Sequence, residues 1–111
     1  MLTLANAAGD YDVEAIAVVG FSFADPEGAS QIVAPCGSCR QLMAEAAQLA
    51  GTELRVLCCN AELTAITVST ISELLPGAFG PRNLGLDREW PSLREGLQAR
   101  VRQLIALRQK R

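Results

Sequence analysis

The sequence predicts a single three-layer α/β domain, and three observations carry that expectation. Short apolar runs rich in β-branched residues, at 13–19 and 54–59, flank a long alanine- and leucine-rich stretch at 38–50. Strands alternating with helices in this way mark an α/β fold. Half of the 111 residues are apolar and a fifth are charged, as in a globular chain with a core of its own. A chain of this length fits one domain, and no repeat, low-complexity tract or long linker divides it.

Residues 1–8 are read as the back half of a helix, stopped by Gly9 and turned by Asp10 and Tyr11. The nearly continuous apolar run at 13–19 suits a strand covered on both faces. Residues 20–30 contain Asp25-Pro26-Glu27-Gly28 and form a surface loop. Gln31, Ile32 and Val33 lead extended into Ala34 and Pro35, because a residue before proline avoids the helical region. A strong helix follows over 38–50, ended by Gly51. The next strand is expected at 54–59, a tight connection at Asn60-Ala61-Glu62, and a further strand at 63–68. Residues 70–75 fit a short helix and 76–81 an irregular loop punctuated by proline and glycine. Ser92 with Glu95 reads as a capping box that opens a final amphipathic helix. Its apolar positions are Leu93, Leu97, Val101, Leu104 and Ile105, and Trp90 packs it onto the body.

Charge is divided unevenly. Residues 87–111 carry seven basic and three acidic side chains, net +4, and the other residues carry net −6. A basic tail can meet nucleic acid or an acidic surface, but the solvated face of a helix is the preferred reading here. No apolar run approaches the roughly 20 residues of a membrane span, and the N-terminus lacks a basic region ahead of an apolar stretch. The four cysteines are therefore read as reduced thiols or metal ligands of a cytoplasmic protein, not as disulfides. The absence of histidine excludes Cys₂His₂ metal sites and any histidine general base within these residues.

Chemistry concentrates at Pro35-Cys36-Gly37-Ser38-Cys39-Arg40-Gln41. Cys36 and Cys39, spaced i and i+3, share one side of a helix start. The free N–H groups and positive dipole end there favour the thiolate that binds metal. Two cysteines make half of a four-ligand zinc site. The alternatives are a buried structural pair or a redox pair. A redox motif usually has an aromatic before its first thiol, whereas here proline precedes and Arg-Gln follows. Cys58 and Cys59 are adjacent on a strand, point to opposite faces, and are read as packing residues.

Three stretches, in order over residues 1–86, resemble the cytidine deaminases of the small, zinc-dependent, homotetrameric type. They are Pro35 to Leu42 with Glu45, the preceding Ala15-Ile16-Ala17-Val18-Val19-Gly20, and Glu73-Leu74-Leu75-Pro76-Gly77-Ala78-Phe79-Gly80-Pro81 with Leu84. The resemblance implies a three-layer α/β/α fold with a mixed sheet, zinc held by Cys36 and Cys39, and a nucleoside substrate. Arg40 would donate to the thiolates and offset their charge, a role set against that of a plain surface charge. Phe79 would enter a neighbouring subunit's nucleoside pocket, or else plug the core beneath its loop. The family reaction is hydrolytic: zinc-activated water attacks C4 of cytosine and ammonia leaves.

Two departures accompany the resemblance. The sequence has no Cys- or His-Ala-Glu, the family motif that supplies the third ligand and the glutamate that moves protons. The chain thus reads as a deaminase domain entered after that motif, at 1–86, with an extra basic amphipathic helix at 87–111. Without the glutamate, acid–base help worth roughly 10²–10⁴-fold is lost, so no catalytic residue is assigned and the chain alone is expected not to deaminate cytidine. Glu14, Glu45 and Glu53 have no motif that places them at a metal. The alternative function is a non-catalytic module of the same fold. It would bind a partner through its exposed sheet or basic tail helix, and its open sheet edge and uncovered apolar surface argue for an oligomer, a tetramer or dimer, or for a missing piece.

Overall fold

The computed structural model describes residues 2–21, 23–25 and 27–110, and the side chains of residues 3 and 4 lie outside that description. Helix α1 spans Leu2–Ala7, strand β1 Ala15–Gly20, helix α2 Gly37–Ala50, strand β2 Arg55–Asn60 and strand β3 Ile66–Thr70. Helix α3 follows at Ile71–Leu74, then a 3₁₀ turn at Pro81–Leu84, and helix α4 at Leu86–Gln109. The fold is mixed α/β. A three-stranded sheet in the order β1-β2-β3 pairs β1 with β2 in parallel and β2 with β3 antiparallel. A parallel pair needs a crossover long enough to return the chain to the same end, and α2 supplies it.

The core follows from alternation. Ile16 and Val18 of β1 stand opposite Val56 and Cys58 of β2, on the sheet face that α2 covers with Met43, Ala44 and Ala47. Leu54 and Ile71 complete this cluster, and Leu2 of α1 packs against it. Small residues let α2 approach the strands closely, and Gly51, in the left-handed region at φ 69°, ends the helix.

Three expectations are corrected. The first concerns the layers. Strand β1 is not covered on both faces: Ala17 and Val19 are exposed, as are Ile66 and Val68 of β3. Helix α1 and Trp90 of α4 line a groove against the outer surface of α2, so these helices stack on one side of the sheet.

The second is the start of β3, at Ile66 instead of residue 63. Buried Asn60 explains the delay. Its Oδ1 accepts from the Thr64 and Ala65 N–H groups at 2.9 and 3.0 Å, and its Nδ2 donates to Thr64 Oγ1 at 2.7 Å. These bonds hold 61–65 as a turn, with Leu63 in the left-handed region at φ 57°.

The third is the start of α4. The helix begins at Leu86, directly after Gly85 at φ 72°, and runs through Pro91. Proline there removes one N–H, whose partner would be the Asp87 carbonyl, and the helix continues. Ser92 is therefore helical interior and forms no capping box. Asp87 and Glu89 in the first turn complement the helix dipole instead. The expected domain boundary at 86/87 falls one residue inside this helix. No helix of the described residues is long and apolar enough to cross a membrane.

Candidate metal centre

Residues 32–36, outside any helix or strand, deliver the chain to α2 through buried Pro35. Cys36 is the residue before the first helical turn, with φ −67° and ψ 167°, and its carbonyl accepts from Arg40 N–H at 3.0 Å. Cys39 is the third residue of α2. Both thiols are exposed and free.

The two sulfurs influence one another. The backbone N–H of Cys39, then its thiol, then the N–H of Ser38 hold the Cys36 thiol below its usual range. Cys39 is pushed up, first because its own S–H serves Cys36 and then because the Cys36 charge opposes a second one. The shifts run in opposite directions, and the free N–H groups of a helix N-terminus favour the charged form at Cys36. Burial pushes Cys58 up, with nearby Arg40 pulling the other way. Cys58 and Cys59 are buried packing residues, as the sequence suggested.

The donor chemistry suits zinc in part. Two exposed soft sulfurs on one helix turn are appropriate ligands, but among the described residues no three Cys, Asp or Glu side chains gather where they could hold an ion. The residues present make half of a site. Glu45 accepts from Gln41 Nε2 at 3.1 Å. Glu53 accepts from the Ser72 N–H and hydroxyl at 3.0 and 2.9 Å, which hold its carboxyl below the usual range. Neither is assigned to the thiols.

Arg40 and Phe79 are placed as follows. Arg40 Nε donates to the Pro35 carbonyl and its Nη1 to the Leu74 carbonyl, both at 2.8 Å, so these donors are spent on backbone and not on the sulfurs. Phe79 is 62% exposed and does not plug the core, while its carbonyl accepts from Gln41 Nε2 at 2.6 Å. Gln48 Oε1 accepts from the Arg82 N–H at 2.9 Å. A Cβ on Gly80 would come within 2.6 Å of that oxygen, so a larger residue there displaces the Gln48 side chain. Residues 40, 41 and 48 of α2 thus bind the 74–82 segment beside the cysteine turn. The sequence had pointed to Arg40 but not to Gln41 or Gln48, whose only signal was polarity within an otherwise apolar helix.

No protein-family model matches the sequence.

Proposed function

We propose that this chain carries the paired-thiol half of a zinc site in a cytidine deaminase-like domain, with a pyrimidine nucleoside as substrate class. One observation carries the reading. Cys36 and Cys39 open α2 with both sulfurs exposed one helical turn apart, and Arg40, Gln41 and Gln48 of the same helix fasten the 74–82 segment. The cysteine stretch and the closing stretch that carry the family resemblance are therefore one physical unit.

In this unit Cys36 and Cys39 would hold the metal, and the Cys36 sulfur is the first to give up its proton. Zinc, when bound, supplies the activated water for hydrolytic loss of the cytosine amino group. Arg40 fixes the turn by holding both the Pro35 carbonyl before it and the Leu74 carbonyl across from it. The exposed Phe79 ring is free to meet a nucleoside or a second subunit. The third ligand and the proton carrier would come from outside the described residues, so the chain by itself does not turn over cytidine. The second reading is a non-catalytic interaction module of the same fold.

Cobalt and zinc titration of the full chain tests the proposal. Cobalt should give a sulfur-to-metal absorption band that zinc abolishes, lost in Cys36→Ala and Cys39→Ala but kept in Cys58→Ala. An unchanged band in Cys36→Ala would overturn the half-site. Cytidine turnover by the wild-type chain well above that of Cys36→Ala would overturn its incompleteness and favour a self-sufficient enzyme.

A further inference from the structure

We infer that α4 is a self-association helix that pairs antiparallel with α4 of a second copy of this chain. The inference does not depend on the zinc reading, since it uses none of the residues at the cysteines.

Helix α4 has 24 residues, about 36 Å at 1.5 Å per residue, and none of them is buried. Its attachment to the body is one-sided. Trp90 stacks edge-on against Tyr11 at 5.0 Å, Arg94 pairs with Asp12, Gln98 donates to the Gly9 carbonyl at 2.9 Å, and Val101 lies beside Gly9. Beyond residue 101 every described residue of the helix is exposed. The radius of gyration is 17.1 Å, against about 13 Å for a compact chain of this length, as an overhanging helix requires.

The exposed side of α4 is patterned. Leu86, Leu93, Leu97 and Leu104 are all exposed, and at 3.6 residues per turn they fall within about 40° of one another. They sit roughly 90° round the helix from Arg94, Gln98 and Val101. With Leu107 they follow the a and d positions of a heptad repeat, Arg100 being the one polar member and Trp90 the one turned to Tyr11 and the body. Pro91 falls at an outer position, where it leaves the seam undisturbed. A lone polar residue in a seam lowers stability and helps to fix register.

Charge selects the occupant and its direction. Flanking the seam, Asp87 and Glu89 stand in the first turn and Arg108 and Lys110 at the far end, while Arg88 lies on the outer side and Arg94 is paired with Asp12. Antiparallel pairing that seats Leu93 near Leu104 of the second copy brings Asp87 beside Arg108 and Glu89 beside Lys110 in the flanking positions. Each helix end then meets its charge opposite. An unrelated acidic partner would satisfy the basic half and leave the acidic first turns facing like charge.

Lys110 is the sole lysine of the chain, which makes direction directly measurable. Sedimentation of the full chain over micromolar to near-millimolar concentrations should show a dimer of twice 11.8 kDa. A zero-length carboxyl–amine cross-linker should join Lys110 to Asp87 or Glu89. Along one helix those residues are about 30 Å apart, so the bond must be intermolecular. Leu97→Asp with Leu104→Asp should raise the dissociation constant roughly 100-fold or more while circular dichroism of the body stays unchanged. Arg108→Glu with Lys110→Glu, at fully exposed sites, should weaken the dimer and flatten its salt dependence. A monomer throughout the range, a dimer that survives the double leucine variant, or a dimer without the Lys110 cross-link would each overturn the inference.

Discussion

Helices α2 and α4 are both amphipathic, yet only one of them is part of the core. In α2, Met43, Ala44 and Ala47 are buried against Ile16, Val56 and Cys58, whereas α4 has no buried residue over a length ten residues greater. The difference lies in connection. The parallel pairing of β1 and β2 obliges α2 to cross the sheet, so its apolar side is held against the strands from both ends. A glycine at the far end of the 3₁₀ turn launches α4, and little but polar contacts and one aromatic pair draw it back. An amphipathic pattern therefore states that a helix has a side to bury, and chain connection decides what buries it.

The sharpest way to break the comparison is to remove one leucine from each region. Leu54, fully buried beneath α2, should cost about 2–5 kcal/mol as Leu54→Ala. Leu104→Ala, measured by urea unfolding at concentrations low enough for a monomer, should stay within about 0.5 kcal/mol. Equal losses would mean that α4 contributes to the monomer core after all.

Trp90→Ala acts on the joint between the two regions. Its loss removes the Tyr11 edge contact and a half-buried indole, about 2 kcal/mol together. The body should keep its cooperative transition while the tail becomes an early target for limited proteolysis. A tail as resistant as in the wild type would show that Asp12 and Arg94 suffice to hold it. That is more than an exposed pair usually supplies.

Much of α2 was legible in sequence because its signals agreed: proline before the first turn, alanine and leucine through the body, glycine after the last residue. The parallel strands on either side were equally plain. The cysteine turn could be read from Cys36 and Cys39 alone, since helix geometry brings i and i+3 together. What escaped was set by side chains acting across the chain. Asn60 captures the backbone of Thr64 and Ala65 and so delays β3, and no local propensity announces that. Ser92 and Glu95 imitate a helix start, but Gly85 had already begun one. The exposure of Val19 and Val68 was hidden because such residues look like core residues wherever they lie.

A smaller effect tests the lock between α2 and the loop that bears Phe79. In Gly80→Ala the new methyl displaces Gln48, breaking its bond to the Arg82 N–H at a cost of about 1 kcal/mol. Gln48→Ala loses the same bond by another route. The two changes combined should cost clearly less than their sum, as for any pair that shares one interaction. Full additivity would mean that Gly80 is needed for something other than room for Gln48. α4 contains no comparable pair, since Gly96 has open space around it and Gly96→Ala should stabilise the helix by several tenths of a kcal/mol.

The smallest effect concerns the corner where α2 hands over to β2. Glu53 receives two hydrogen bonds from Ser72, first from its N–H and then from its hydroxyl, and these depress the pKa of its carboxyl below the ordinary 4.5. A depressed pKa means that folding favours the charged form. The stabilisation is present above pH 4.5 and is lost as pH falls through the lower native value. Glu53→Gln should therefore narrow the stability gap with wild type as the solution is acidified from pH 6 towards pH 3. Because the carboxyl is exposed, that gap is small to begin with. Ser72→Ala should flatten the wild-type acid dependence in the same direction. If instead the gap widened on acidification, the protonated carboxyl would be the form held by Ser72. The corner that pins the end of α2 would then be set by a neutral hydrogen bond and not by charge.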